Sequence, residues 1–442
     1  MIDYENIEIQ INSISKLVDN SNSGNKHKQQ QKNKNEIVEK RKEKVDIILN
    51  ELDNLYILHE TSDNRSYISY LYGKLYLILS NIEKNKENEY LDKCETYLSK
   101  SIRLNQNQIK AWNELAEYYY NRGYLILAKK ALESCLLINN NKESLKKLSI
   151  VLRQLPEVSL ESRIANIQES LVKAKEVLKF DLKDSESWYL LGNAYLNQFF
   201  LDIDKYATDI DSALKAYQCS LQYGGSATGE ILENQDLYCN RATIYMYKED
   251  YQLALEGYEK ASQLEEQWKE PLDKINKIIY ILSSIKEIFH LNANRKNKQS
   301  SHAGGGKSFK LRTFLTMNTF PKTQANRSPI MVPSLQPGLN VNCYLIGKVK
   351  YQISNKEYVP RIVVLSDNNS NLIVTSIYSL PVNVLKKGDI ISIADPFVKN
   401  IVVQWKQYSF HYQCIQVNSI NIEIRGKDND NISAKPLITT HH

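Results

Sequence analysis

The sequence lacks the cysteine and apolar patterns that mark zinc-binding, secreted or membrane-spanning proteins. Its six cysteines are scattered, with no CxxC motif and no histidine at metal-ligand spacing, which indicates a reducing compartment, the cytosol or the nucleus. No run of about 18 apolar residues occurs, and the acidic start MIDYENIEIQ has no secretory apolar stretch. We therefore expect neither a membrane span nor export.

Catalytic patterns are missing as well. The seven histidines are dispersed, and no nucleophile stands in a pattern with a base. The segment SHAGGGKS approaches a phosphate-binding loop, but Ser301 stands where the GxxxxGK[ST] pattern needs its first glycine, and no strand pattern precedes it. We expect this segment to be flexible chain, and we expect a protein that is not an enzyme and has no metal or cofactor.

Length and composition indicate a soluble chain with more than one core. Of the 442 residues, 42% are hydrophobic and 24% are charged, and the net charge of +6 is mild. Two basic polar tracts predict connecting segments, at 22–45 between the first two helices and at 291–334. Two domains joined by a linker are therefore expected.

A recurring pattern of large and small apolar residues predicts tetratricopeptide repeats. In AWNELAEYYYNRGYLILAKKALESCLLIN, large residues fill the space between two helices and small ones let the helices approach. Trp112 and Trp188 hold the same repeat position, and their separation (188 − 112 = 76) equals two repeats of roughly 34 residues plus about eight inserted ones. Further units fit at 66–104, 144–182 and 240–264, with a capping helix at 268–289 and insertions near 199–210 and 224–234. An irregular helical bundle is the alternative.

Beyond residue 335 the apolar period changes from 3.6 toward 2. Short β-rich runs such as RIVVLSD and NLIVTSIY, with LKKGDIISI as a turn into a strand, predict a five-stranded barrel of the oligonucleotide/oligosaccharide-binding (OB) type. Its aromatic residues are candidates either for stacking single-stranded nucleic acid or for filling the barrel interior. We favour the interior because lysines are not concentrated around them. These residues are Tyr344, Tyr351, Trp405, Tyr408 and Phe410.

The predicted fold class is α+β with two domains, an α-solenoid of about five to six tetratricopeptide repeats followed by an OB-type β-barrel. The predicted boundaries are 1–59 for N-terminal helices, 60–290 for the solenoid, 291–334 for a basic linker, 335–430 for the barrel and 431–442 for a disordered tail.

The segment QDLYCNRATIYM (235–246) specifies two faces of one helix. Asp236, Asn240 and Thr243 fall on a single polar stripe, where a surface helix would normally carry lysine and glutamate. The first helix of each repeat lines a concave groove, so this stripe is predicted to face a bound peptide. Asn193 is its counterpart one unit earlier.

Charges along the predicted groove require a ligand of alternating charge. Asp236 and Glu270 attract a cation, and Arg153 supplies the opposite sign. The amides of Asn193 and Asn240 both donate and accept hydrogen bonds, so they suit a peptide backbone. Solvated or internally paired side chains are the alternative, and the spacing alone does not decide between the two.

The order of the motifs VLRQL, SWYLLGNAYL, DLYCNRAT, ALEGYEKA and SLQPG…LIGKV resembles the tetratricopeptide repeat protein 5 family, the stress-responsive activator Strap, from about residue 66 to 420. The resemblance implies repeats joined to an OB-type barrel, and two activities. In the cytoplasm, the protein sits at the ribosome exit, reads the N-terminal Met-Arg-Glu of nascent α- and β-tubulin, and triggers decay of the translating mRNA through an mRNA-decay adaptor. In the nucleus, the alternative is a scaffold of coactivator complexes containing a histone acetyltransferase, with the OB domain binding nucleic acid or chromatin.

The resemblance also implies roles for individual residues. Peptide contacts carry over to Arg153, Asp236 and Glu270, and we add Asn193 and Asn240 as backbone contacts. The motif YLSKSIRLN carries ribosome contacts, to rRNA phosphate and exit-site proteins, over to Lys100 and Arg103. We expect a monomer. The tract at 22–45, the insertion at 199–210 and the longer linker depart from the family pattern, so no phosphorylation site is carried over.

Overall fold

A computed structural model describes residues 4–16, 27–156, 159–225, 230–301, 320–353, 360–380 and 384–425. The predicted tail at 431–442, and the SHAGGGKS segment after its first serine, lie outside these ranges. The chain forms two compact units, Met1–Lys183 and Asp184–His442. No helix in the described ranges is long and apolar enough to cross a membrane.

Helices make up the first unit and the first part of the second. In the first unit they are α1 (Tyr4–Lys16), α2 (His27–Leu58), α3 (Ser62–Ile82), α4 (Glu87–Leu104), α5 (Ile109–Asn121), α6 (Leu125–Ile138), α7 (Lys142–Gln154) and α8 (Leu160–Leu178). In the second they are α9 (Ser185–Leu201), α10 (Asp209–Gly224), α11 (Gln235–Tyr247), α12 (Tyr251–Leu264), α13 (Glu270–Ser301) and α14 (Pro321–Gln324).

The helices from α3 to α12 form five consecutive pairs, three in the first unit and two in the second, and α13 packs against the last pair. Small residues set the close approach within pairs. A Cβ on Gly73 of α3 would lie 2.5 Å from Leu98 Cγ of α4, and one on Gly192 of α9 would lie 2.5 Å from the Tyr217 ring of α10. The predicted alternation of large and small residues therefore has a direct steric cause.

Buried serines join two of the pairs in the first unit. Ser66 of α3 and Ser101 of α4 each donate a hydrogen bond to the other's carbonyl oxygen, at 2.8 and 2.7 Å. Ser149 of α7 and Ser170 of α8 do the same, at 3.0 and 2.7 Å. All four side chains are fully buried. Loss of one hydroxyl would therefore leave the partner serine's carbonyl oxygen without that hydrogen bond, and water could not replace it.

The rest of the second unit is a nine-stranded sheet. Its strands are β1 (Ser328–Ile330), β2 (Gly338–Leu339), β3 (Cys343–Gln352), β4 (Arg361–Ser366), β5 (Leu372–Tyr378), β6 (Ile390–Ala394), β7 (Phe397–Trp405), β8 (Tyr408–Asn418) and β9 (Ile422–Ile424). The order is β2-β7-β8-β5-β4-β3-β6-β9, with β1 beside β3. The β5–β8 and β1–β3 pairs are parallel, and the others are antiparallel.

The predicted fold class of helical repeats followed by an OB-type sheet is confirmed, with two differences in the sheet. It has nine strands where five were predicted, and its hydrogen-bonded ladder does not close. Strands β6 and β7 lie toward opposite ends of the strand order, yet only Asp395 and Pro396 separate them in the chain. The sheet therefore curls round. The hydrogen-bonded ladder is interrupted between β6 and β7, where these two residues connect the strands.

Strands β4 and β5 are buried on both faces. Val363, Leu365 and Ile373 point into the core enclosed by the curled sheet. Ile362 and Val364 point the other way and pack in a core shared with α11, α12 and α13. This explains the nearly continuous apolar runs RIVVLS and LIVTSIY, because strands covered on both faces do not alternate.

Two of the five predicted barrel aromatics fill a core, but it is not the barrel interior, and Tyr408 is 37% exposed. Trp405 and Phe410 are 7% and 4% exposed and belong to the core shared with the helices. Phe410 stacks on Tyr408, with ring centroids 6.0 Å apart, and Tyr351 lies at the edge of the same core. Strand alternation alone cannot tell an inner face from an outer face that a helix covers.

Several predicted boundaries also differ from the structure. Helix α13 continues to Ser301, beyond the predicted end of the capping helix, and α14 and β1 lie within the predicted linker. Helix α2 begins at His27, inside the predicted tract at 22–45. The second compact unit contains the last two helical pairs together with the barrel, so the predicted boundary between solenoid and barrel does not separate two compact bodies.

The turn between α11 and α12 docks onto the sheet through a buried acid. Glu249 is 2% exposed and has a φ of 59°. Its carboxylate accepts hydrogen bonds from the Ser376 hydroxyl and, at 2.6 Å, from Gln416 Nε2. Burial raises the pKa of Glu249 despite these bonds. Beside it, Lys399 Nζ donates to Asp250 Oδ1 at 2.6 Å.

Glu249→Ala should lower the free energy of unfolding by about 1–3 kcal/mol, because it removes the acceptor of the buried Ser376 hydroxyl and one acceptor of the partly buried Gln416 amide. Urea denaturation measures the loss. Glu266→Ala, at an exposed position, is the matched control and should change the value by less than about 0.5 kcal/mol. Equal effects of the two variants would contradict the role assigned to Glu249.

Candidate peptide-binding site

Two carboxylates interact at the starts of α11 and α13. Asp236 lies in the first turn of α11, which the Asn234 side chain caps by accepting from Leu237 N at 3.0 Å. Glu270 is the first residue of α13. Partial burial and then the Glu270 carboxylate raise the pKa of Asp236. Both residues remain exposed to solvent, so a ligand can reach them.

The acid pair is poorly neutralised. Lys274 Nζ lies 3.7 Å from Glu270 Oε1 on the same helix, a partly exposed i, i+4 pair of the kind worth about 0.3–0.5 kcal/mol. Within the described ranges, Asp236 has no ion pair, and no cation contributes to its pKa shift. A cation that met both carboxylates would relieve their repulsion, and a planar guanidinium can bond to two carboxylates at once.

The two predicted asparagines bond to each other. Asn240 Nδ2 of α11 donates to Asn193 Oδ1 of α9 at 3.1 Å, and the Tyr217 hydroxyl donates to the same oxygen at 2.7 Å. Asn193 Oδ1 is therefore occupied, which corrects the prediction that this side chain both donates to and accepts from a peptide. The Asn193 NH₂ group and the Asn240 oxygen are the parts that suit a ligand.

Arg153 is positioned by the buried serines of α7 and α8. Its Nη1 donates to Ser149 Oγ and to Ser170 Oγ, both at 3.1 Å. These contacts help to position the guanidinium, which carries five N–H donors. Arg153 belongs to the first compact unit, whereas the acid pair and the two asparagines belong to the second.

The predicted ribosome contacts lie on α4. Arg103 is exposed. The Lys100 ammonium lies 4.4 Å from the centroid of the Tyr56 ring, a cation–π contact. Arg65 of α3 approaches the same ring at 5.3 Å. The sequence pattern missed Tyr56 and Arg65, because they reach Lys100 only through the packing of α2 and α3 against α4.

A cavity of about 440 Å³ between α10 and α11 was also missed. It is lined by Asp211, Leu214, Lys215, Gln218, Arg241 and Tyr245. Arg241 Nε and Nη2 donate to the Tyr245 hydroxyl at 3.2 and 3.1 Å. The i, i+4 spacing of Arg241 and Tyr245 was a usable signal. Arg241 lies on a different stripe of α11 from Asp236 and Asn240, so it provides a control position on the same helix.

Similar proteins are known for most of the chain. Residues 327–433 match the family described as Tetratricopeptide repeat protein 5 OB fold domain. Tetratricopeptide repeat protein 5 of Bos taurus is 28% identical over 362 residues, covering 79% of this chain and 80% of its own length. The Homo sapiens protein gives the same values. The resemblance to the tetratricopeptide repeat protein 5 family is confirmed.

Among solved structures, the tetratricopeptide repeat protein YrrB is 18% identical and covers 46% of this chain and 90% of its own, with a TM-score of 0.32. The helical pairs and the tetratricopeptide repeat protein 5 relatives support a protein-binding adapter. An OB-type domain beside such repeats suggests a binding protein without catalytic activity.

Proposed function

We propose that the chain is a ribosome-associated adapter that recognises the N-terminal Met-Arg-Glu of nascent α- and β-tubulin and triggers decay of the translating mRNA. The observation that carries the proposal is the exposed, poorly neutralised pair of Asp236 and Glu270. The relatives named tetratricopeptide repeat protein 5 support it at the level of the family.

The ligand's arginine is assigned to the acid pair. Its guanidinium would donate to both carboxylates, replacing their repulsion with two charge-assisted hydrogen bonds. Proton binding competes with this contact, because burial and Glu270 raise the pKa of Asp236. Arginine suits the role better than lysine, since its planar fork meets two carboxylates with little reorganisation.

The ligand's glutamate is assigned to Arg153. The bonds from Arg153 to Ser149 and Ser170 restrict the guanidinium before a ligand arrives, which reduces the entropy lost on binding. The peptide backbone is assigned to the Asn193 NH₂ group and the Asn240 oxygen, the parts that their mutual hydrogen bond leaves available.

Ribosome docking is assigned to Lys100 and Arg103, and Arg65 shares the Tyr56 ring with Lys100. Contacts of cations with rRNA phosphate are electrostatic and weaken with salt. Recognition of the peptide and docking on the ribosome thus use different residues. The mRNA-decay adaptor would bind the assembled complex.

The nuclear scaffold is the alternative, with the OB domain binding nucleic acid or chromatin. Two of its five stacking candidates, Trp405 and Phe410, are buried in the core that the sheet shares with α11, α12 and α13. This burial favours the peptide-adapter proposal over nucleic-acid stacking through these two rings.

A labelled Met-Arg-Glu-Ile peptide with a free N-terminus tests the peptide assignment by fluorescence anisotropy. Asp236→Lys, Glu270→Lys and Arg153→Glu should each weaken binding by about 2–5 kcal/mol, roughly 30- to several-thousand-fold in affinity, because each leaves a ligand charge unpaired. Arg241→Ala, on another stripe of α11, is the control and should bind as the wild type does.

A second peptide, Met-Glu-Arg-Ile, keeps the composition and reverses the charge order. It should bind the wild-type chain far more weakly than Met-Arg-Glu-Ile. If it binds equally well, or if Asp236→Lys and Glu270→Lys leave the affinity unchanged, the assignment is wrong.

The Lys100→Glu/Arg103→Glu double variant should lower affinity for ribosomes by about tenfold at low salt, because it removes two cations that meet phosphate. Cosedimentation with ribosomes across a salt series measures this effect. The variant should still bind the Met-Arg-Glu-Ile peptide. Lys130→Glu, at another exposed lysine of the first unit, is the control. Unchanged sedimentation of the double variant would remove the docking assignment while leaving the peptide assignment intact.

A further inference from the structure

The first compact unit holds a carboxylate in a site built from two repeat helices. Glu8 of α1 accepts hydrogen bonds at Oε1 from the Tyr70 hydroxyl at 2.6 Å and from Lys74 Nζ at 2.8 Å. At Oε2 it accepts from the Tyr67 hydroxyl at 2.8 Å and from Lys110 Nζ at 2.7 Å. Helix α3 supplies three of these donors and α5 supplies the fourth.

The four hydrogen-bond donors have a larger combined effect on the pKa of Glu8 than its burial has. Partial burial works to raise the pKa of Glu8, but the hydrogen bonds from Lys110, Lys74, Tyr70 and Tyr67 lower it to about 2. The folded pKa lies below the usual value, so the stabilisation is present above the usual pKa and is lost as the pH falls toward 2. The carboxylate therefore stays ionised, and the contact stays intact, at neutral pH.

Helix α1 adds an apolar stripe to this polar contact. Ile7, Ile11 and Ile14 recur at i, i+4 and i+7 and are 7%, 0% and 0% exposed. They pack in the core cluster that includes residues of α3, such as Ile68 and Leu71. The contact thus combines one acidic side chain with the buried face of an amphipathic helix.

The receiving helices, α3 and α5, are the first helices of their pairs. In repeat arrays the first helices line the concave face that binds ligands. Helix α1 also packs against α2, where Lys44 Nζ donates to Ser13 Oγ at 2.5 Å. At 13 residues, α1 is too short to be stable as an isolated helix. It therefore contacts the repeats as a bound helical peptide would.

Without Glu8 the site would carry excess positive charge. Lys74 would keep Glu114 at 3.9 Å, and burial raises the pKa of Glu114, which disfavours its charged form. Lys110 would lose its only ion pair within the described ranges. Two ammonium groups and two tyrosine hydroxyls would then lack their carboxylate acceptor, beside the apolar surface that α1 covers.

We propose that Tyr67, Tyr70, Lys74 and Lys110 form a second binding site, for a carboxylate on an amphipathic helix, and that α1 is its built-in occupant. An acidic amphipathic helix of a partner protein takes the place of α1. This site uses other residues than tubulin recognition and does not depend on the proposed function.

Release of α1 is the first test, measured by hydrogen–deuterium exchange on the full chain. Glu8→Gln and Glu8→Lys should each speed exchange across residues 4–16 by about tenfold or more, because docking of α1 is what protects these amides. Glu5→Gln changes an exposed acid of the same helix and should exchange as the wild type does.

Binding in trans is the second test, with a labelled synthetic peptide of residues 1–16 as the probe. The peptide should bind the Glu8→Lys chain about tenfold or more tightly than the wild-type chain, in which the tethered α1 competes at high effective concentration. A Glu8→Gln peptide should bind the Glu8→Lys chain about tenfold or more weakly than the unchanged peptide.

The proposal is overturned if α1 exchanges slowly in both variants, if the peptide binds the two chains equally, or if the Glu8→Gln peptide binds as well as the unchanged one. Exchange in α7 and α8 reports whether the unit stays folded. Where Glu8→Lys loosens those helices, the Glu8→Gln chain, which keeps the side-chain shape, serves as the receptor in its place.

Discussion

The repulsion between the Asp236 and Glu270 carboxylates, at the starts of α11 and α13, is the interaction on which the proposed function depends. Partial burial and then Glu270 raise the pKa of Asp236, and one partly exposed lysine on the Glu270 side is a weak counterion. Folding could remove this repulsion by placing an arginine there, but within the described ranges it does not. A cationic ligand that met both carboxylates would relieve this repulsion.

Close packing within helical pairs, and the burial of β4 and β5 on both faces, hold the helices that carry these residues. Gly73 and Gly192 let helices of a pair touch, and the Ser149–Ser170 pair both joins α7 to α8 and positions Arg153. In the second unit, the sheet covers the last helices with the outer faces of β4 and β5. The helix that carries Asp236 is thus held in a core larger than a single repeat provides.

The sequence predicted the features that depend on periodicity, namely the helical pairs and the sheet. It did not predict the contacts that form only when separate elements pack together. The repeat motifs, including the spacing of Trp112 and Trp188, predicted about five to six helical pairs where five are present in the described ranges. The change of period located the sheet. The side of the sheet that Trp405 faces could not be read from alternation, because the sheet has a core on each side. Glu249 gave no signal, since an acid in a helical turn usually faces water. Arg65 and Tyr56 meet Lys100 only in three dimensions.

The pKa of Asp236, followed by carboxyl-carbon NMR in the free chain and in the complex with a Met-Arg-Glu-Ile peptide, tests the central claim most directly. If the ligand's guanidinium joins Asp236 and Glu270, the raised pKa of Asp236 should fall on binding. The same peptide with glutamine in place of arginine should leave it raised. An Asp236 pKa that stays the same or rises when the arginine peptide binds would contradict the account.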